Sequence, residues 1–218
     1  MDLGLKIRDI RKSYNGKTTL QDCSYDFKTG SIHALMGPNG CGKSTLLRIC
    51  ALLEPVDRGS VSYSSGGVAL QHDLVLRRRI TLVLPRVGVF NTTVFKNVAY
   101  GLLLRGVDKR TCVRSVDAVL DAVGLRQKQQ QNALTLSSGE TQRLGIARAM
   151  VLEPDMLFLD EPTASTDEEN TAIVEGIITA LKRAGKTTVI MSTHDREQAE
   201  RLAERIVLMR NGKILETP

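Results

Sequence analysis

The spacing of apolar positions changes character along the chain. In the first third, short alternating segments such as Leu5–Ile10 and Ser31–Met36 lie between turn-rich stretches, YNGK, KTG, DRGS and SSGG, a pattern that predicts β structure. STLLRICALL (Ser44–Leu53) has helical spacing and stops before Glu54-Pro55. ITLVLPRVGVF opens as a buried strand, Ile80–Leu84, that runs into Pro85. In the middle, RSVDAVLDAVGL places Val116, Val119, Leu120 and Val123 on one helical face, with Gly124 as a stop. The glutamine-rich RQKQQQNA reads as a connector, and GETQRLGIARAMVL as a further helix ended by Glu153-Pro154. The last third alternates: strand MLFLD, an amphipathic helix through Ile173, Val174, Ile177, Ile178 and Leu181, strand KTTVIMST, helix REQAERLAE, and a hairpin RIVLM-RNGK-ILE. Strands alternating with helices imply a parallel sheet. The expected organisation is one α/β domain, its core formed by residues 1–85 and 152–218, with a helical lobe inserted at residues 86–151.

Composition narrows the function. Tryptophan is absent and aromatics make up 4%, which argues against stacking platforms for single-stranded nucleic acid. The net charge of +6 is mild, a solvated surface with at most a weak pull on anionic lipid or a polyanionic ligand. Cys23, Cys41, Cys50 and Cys112 form no CxxC pair, so neither a zinc site nor a disulfide framework is signalled. No apolar run reaches the ~18 residues needed to span a bilayer. Service to a membrane is therefore expected to run through a partner.

The chemistry-bearing segments follow from phosphate binding. GPNGCGKST, from Gly37 through Pro38, Asn39, Gly40, Cys41, Gly42, Lys43 and Ser44 to Thr45, fits G-x-x-x-x-G-K-[ST] between a strand-like SIHALM and a helix. Such a loop closes backbone N–H groups around phosphates, and the helix N-terminus adds about half a positive charge. Lys43 is expected at the β- and γ-phosphates, and Ser44 on Mg²⁺. A bulky adduct on the Cys41 thiol is expected to obstruct the phosphates. MLFLDEP ends an apolar strand on Asp160, a second Mg²⁺ ligand, and Glu161, which can polarise an attacking water. His194, at the end of IMSTH, ends a third strand whose tip a parallel sheet brings alongside, within reach of the γ-phosphate. In LTLSSGETQR, Ser137 and Glu140 have capping-box spacing. The same helix start, with Ser137, Ser138 and Gly139, also makes an anion site, one available to another subunit's nucleotide.

Taken together, these segments resemble an ATP-binding-cassette transporter ATPase, in family order from Lys6 to Glu216. The resemblance implies a P-loop NTPase (RecA-like) α/β core with an N-terminal antiparallel β subdomain and an inserted α-helical subdomain. LSSGE resembles the signature LSGGQ, with Ser138 for glycine and Glu140 for glutamine. FLDEPTASTD resembles the acidic strand end and the dimer-contact loop, closing at Asp167, His194 falls at the switch histidine, and Tyr14 where the family stacks an aromatic on adenine. The family implies a head-to-tail homodimer, each P-loop facing the other copy's signature across an ATP with Mg²⁺. It also implies a membrane permease, an extracytoplasmic solute-binding protein, a place on the cytoplasmic face of the membrane, and no nucleic-acid partner. VGVFNTTVFKNVAYGLLLRG and STHDREQAERLAERIVLMRNGKILE look most like small importers of tungstate-type oxyanions. At the hinge between core and helical lobe the family carries a glutamine that helps ligate Mg²⁺ and senses the γ-phosphate; here Pro85 stands instead, and Gln71 lies too early to replace it.

Three functions compete. The first is a transport motor, an ATP-hydrolysing subunit bound to a membrane permease. A soluble cassette acting on DNA or ribosomes would need a long coiled coil between Lys43 and Asp160, or a second cassette, and neither is present. A nucleotide switch with crippled hydrolysis is favoured by Pro85 and Ser138 and opposed by intact Lys43, Asp160, Glu161 and His194.

Overall fold

The structure, a computed structural model, describes residues 3–164 and 167–215 of the 218-residue chain. It divides into two compact units, residues 1–82, 155–161 and 181–218, and residues 83–154 and 162–180.

In chain order the elements begin with β1 (Leu3–Tyr14), β2 (Lys17–Phe27), β3 (Ile32–Met36), α1 (Lys43–Cys50), β4 (Arg58–Ser65) and β5 (Val68–Leu70). Next come α2 (Leu74–Arg77), β6 (Ile80–Val83), α3 (Val94–Leu104), α4 (Lys109–Ala122) and α5 (Ser138–Met150). The remainder is β7 (Met156–Asp160), α6 (Glu168–Ala184), β8 (Thr188–Thr193), α7 (Arg196–Leu202), β9 (Arg205–Arg210) and β10 (Lys213–Leu215).

Two sheets form, as expected. The antiparallel one has the order β2-β1-β4-β5, the other β10-β9-β3-β8-β7-β6, with β9, β3, β8 and β7 parallel. In β1 the inward positions Leu3, Leu5 and Ile7 alternate until a register shift, with Asp9 at φ 49, moves the inward set to Ile10. These residues pack with Leu20, Cys23 and Phe27 of β2 against Leu46, Leu47 and Ile49 of α1 and against Leu35, Phe158 and Ile190 of the parallel sheet. β3, β7 and β8 are buried along almost their whole lengths because both their faces are covered.

Local sequence sets the ends of elements. The β9–β10 hairpin turns on Asn211 and Gly212, both at positive φ (49 and 75), as a two-residue loop requires. Gly124, at φ 66, closes α4: its N–H bonds Asp121 O at 3.1 Å and that of Leu125 bonds Leu120 O at 2.8 Å, a Schellman pair. α1 stops at Cys50, earlier than its apolar spacing predicts, because Leu52 takes a left-handed φ of 59. β6 ends at Val83, so the exposed Pro85 falls beyond the ladder, where its missing N–H costs nothing.

The second unit holds α3, α4 and α5. It also takes residues 162–180, which the sequence reading gave to the core. Within this unit a buried bond joins Arg143 Nε of α5 to Asn170 Oδ1 of α6 at 2.9 Å, and Arg143 Nη1 donates to Val123 O. α3 has no counterpart in the sequence reading. Its apolar residues surround the helix, with Val94, Val98 and Leu102 buried and Leu103 and Leu104 exposed, so no single face stands out.

In the first unit His33 of β3 is fully buried, edge-on to Phe27 and Tyr25. Its Nε2 lies 3.1 Å from Lys28 O, while Nδ1 has no partner. Burial therefore lowers its pKa below the ordinary value. The unfolded chain takes up the proton first, so this contribution to stability is whole above about pH 6.5 and is lost as pH falls below it. Urea midpoints at pH 8 and pH 5 should fall less for His33→Gln than for the wild type. Equal falls would remove His33 from the acid response.

Candidate nucleotide site

The parallel register assembles the site. Met36 pairs with Thr193, and Asp160 with Ser192, so the ends of β3, β7 and β8 lie at one edge of the sheet. The loop after β3, the acidic pair at the end of β7 and His194 after β8 all lie at that edge.

The loop from Gly37 to Gly42 wraps the start of α1. Gly42 is the N-cap residue at φ 108, a conformation L side chains rarely adopt, and no side chain caps the helix. The first α1 N–H groups thus stay available to an anion. Lys43 is buried, and its Nζ donates to Gly37 O at 2.8 Å and Pro38 O at 3.3 Å. Pro38, Asn39 and Gly40 are exposed at the loop tip. Beside them lies a cleft of about 420 Å³ walled by Lys17, Thr18, Thr19 and Asn211.

Asp160 is buried, and its Oδ1 accepts from Ser44 Oγ at 3.0 Å and Ser192 Oγ at 2.6 Å. Ser192 Oγ in turn accepts from the Glu161 N–H at 2.9 Å. Ser192 escaped the sequence reading; it is one of three hydroxyl residues in β8 and gains meaning only once the register sets it opposite Asp160. Glu161 stands at φ 47, a strained position for a glutamate. Its carboxylate oxygens lie 3.6 Å from Lys43 Nζ and 3.6 Å from His194 Nδ1. A base and two cationic or polar groups therefore converge where the loop opens. Ser44 and Asp160 offer adjacent oxygens only, the donor chemistry of a hard divalent cation that keeps several waters. Among the described residues no three His, Cys, Asp or Glu side chains cluster into an all-protein cage.

Tyr14 ends β1 at a tight turn, Asn15-Gly16, both at positive φ, and is 39% exposed. Cys41 departs from expectation. It is 5% exposed and belongs to the core cluster, so its thiol points into the protein rather than towards the loop mouth.

The signature residues stand in the second unit. Ser137 Oγ accepts from Glu140 N at 3.2 Å, and Glu140 Oε2 accepts from Ser137 N at 3.0 Å, so both arms of the capping box form. The Ser137 hydroxyl keeps its own proton to donate. Lys128 pairs with the other Glu140 oxygen. Ser138 is exposed and tolerates a side chain; Gly139 is not replaceable, since a Cβ there would meet the Asn170 side chain at 2.4 Å. Asp167 caps α6 through the Asn170 N–H at 2.8 Å, which holds its carboxyl below the usual range. Ser165 and Thr166 lie outside the described residues. No helix among the described residues is long and apolar enough to cross a membrane.

The chain matches the ABC transporter family model over residues 20–164. It is 37% identical to a tungstate uptake system ATP-binding protein of Peptoclostridium acidaminophilum, across 96% of both chains. It is 38% identical to a phosphate import ATP-binding protein of Natronomonas pharaonis, across 98% of this chain and 79% of that one. Its fold superposes on cbiO1 of Clostridium perfringens, part of an ABC transporter complex, with a TM-score of 0.86 and 25% identity, covering 99% of this chain and 88% of that one. With an ATP-type phosphate loop on a sheet edge that also carries the acidic pair and the histidine, the chain belongs to the ABC transporter family and is one of its ATP-binding ATPases.

Proposed function

We propose that this ATPase powers import of a tetrahedral oxyanion, tungstate first, through an integral-membrane permease on the cytoplasmic face of the membrane. An extracytoplasmic solute-binding protein delivers the solute. The relatives named for tungstate and phosphate share that solute geometry and support this choice. The working form is a head-to-tail homodimer, in which Ser137, Ser138 and Gly139 of one copy close over the ATP held by the other's Gly37–Thr45 loop.

The observation that carries the catalytic reading is the convergence of Lys43, Glu161 and His194 beside the hydroxyl-bonded Asp160. Backbone N–H groups of the loop and Lys43 bind the β- and γ-phosphates. Tyr14 stacks on the adenine. Ser44 and Asp160 would hold Mg²⁺, which when bound neutralises phosphate charge. Glu161 takes a proton from the water that attacks the γ-phosphorus as the bond to ADP breaks, and His194 orients that water and the γ-phosphate. The purified protein with its permease should hydrolyse ATP faster when loaded binding protein carries tungstate or molybdate than when it carries phosphate or sulfate. Equal stimulation by all four would discard the tungstate assignment. Loss of all hydrolysis in the wild type would discard the motor.

Pro85 favours a slower motor. It has no side-chain acceptor, and Arg86 cannot supply one, because a guanidinium only donates. Pro85 is exposed beyond β6, so Pro85→Gln leaves the sheet untouched. The variant should raise the ATPase rate about tenfold, equivalent to ~1.4 kcal/mol of barrier. An unchanged or lower rate, measured with the permease present, would mean that the site is built around proline.

A further inference from the structure

Tyr14 lies at a hairpin tip, where a ring 39% exposed has little packing to fix it. What holds it is polar. Its hydroxyl donates to Glu54 Oε1, and Glu54 Oε2 accepts from Arg48 Nε at 3.1 Å. Arg48 belongs to α1, and its Nη2 donates at 3.3 Å to Thr45 Oγ1, one turn earlier in the same helix and the last residue of the GPNGCGKST motif. Lys12 approaches from the other side, 3.8 Å from Glu54 Oε1, anchored on Pro55 O and Asp57, with its Nζ 5.6 Å over the Tyr14 ring. A cation thus lies over one face of a ring that stays 39% exposed. Burial raises the Glu54 carboxyl, but the bonds from Tyr14 and Arg48 and the nearby charges outweigh it, so it titrates below its ordinary value and stays an acceptor.

We propose that Glu54, clamped by Arg48, is a positioning residue that presets the Tyr14 ring for the nucleobase and ties that setting to Thr45 of the phosphate loop. The proposal rests on Tyr14 being the nucleobase platform. A freely turning ring must be ordered when the base arrives, and the tether removes that cost beforehand. Because Arg48 touches both Glu54 and Thr45, base and triphosphate are held in one frame.

The test separates base from phosphates. ATP and inorganic tripolyphosphate are titrated into the wild type, Tyr14→Ala, Glu54→Ala, Glu54→Gln and the Tyr14→Ala/Glu54→Ala double variant. Tyr14→Ala should weaken ATP about tenfold and Glu54→Ala about fivefold, while tripolyphosphate changes less than about twofold in each. Glu54→Gln keeps an acceptor for the hydroxyl and should recover most of the ATP affinity. The double variant should be no weaker than Tyr14→Ala, since without the ring the tether has nothing to position. Weakening of tripolyphosphate by Glu54→Ala equal to that of ATP would mean structural damage to α1 and would overturn the tether. So would full additivity in the double variant, or unchanged ATP binding in Glu54→Ala while Tyr14→Ala is weak. Unchanged ATP binding in Tyr14→Ala would instead remove the platform, and the tether with it.

Discussion

Glu161→Gln should bind ATP as tightly as the wild type and hydrolyse it ~10²–10⁴-fold more slowly, the usual loss when a positioned base is removed. The glutamine is isosteric, and the residue's backbone is held independently by the bond from its N–H to Ser192 Oγ. The positive φ of 47 is also set by the chain, not by the carboxylate. What changes is proton affinity at the point that faces Lys43 and His194. Because the nucleotide is not consumed, the ATP-loaded variant should accumulate as a dimer in size-exclusion chromatography. Hydrolysis at the wild-type rate would remove Glu161 from the mechanism. ATP binding that weakens in step with hydrolysis would make it a binding residue instead.

Gly37→Ala should damage the protein before any nucleotide is added. A Cβ at Gly37 would lie 2.1 Å from Met209 O, a backbone atom of β9, and 2.9 Å from Cys41 Sγ. Neither can swing aside, since β9 is hydrogen-bonded to β3 and Cys41 is packed in the core. Overpacking of this kind costs ~1–3 kcal/mol or more. In a protein of this size that is about 2–12 °C of Tm. Gly40→Ala is the control within the same loop: nothing lies within 4 Å of its added Cβ, so only the strain of its positive φ remains. Melting curves without nucleotide should therefore rank wild type, Gly40→Ala and then Gly37→Ala, with the second gap the larger. Equal melting of the two variants would show that β9 yields, and that Gly37 is required for phosphate contact alone.

Much of this was readable in the chain because it is local. A phosphate loop needs its glycines and Lys43 within a few residues of a strand end, and GPNGCGKST shows them in order. The capping box of Ser137 and Glu140, the Gly124 stop of α4 and the Asn211-Gly212 turn each depend on a handful of neighbouring backbone groups. The Pro85 departure was equally plain, and the structure adds that it falls just beyond β6. Cys41 was misread because adjacency in sequence says which residue joins a loop, not on which side of the backbone its side chain emerges.

Sequence alone thus determined most element types, though not α3, together with the loop chemistry and the family pattern, since propensity, caps and turns act over a few residues. Tertiary structure decided which distant groups meet. Ser192 became a partner of Asp160 only through the β7–β8 register, Glu54 a partner of Tyr14 only through packing of the loop after α1 against β1, and Asn170 a partner of Arg143 only through the approach of α6 to α5. The physical reason is the same in each case. Ladder register and side-chain hydrogen bonds between remote segments depend on how whole elements bury their apolar faces, and no window of neighbouring residues contains that information.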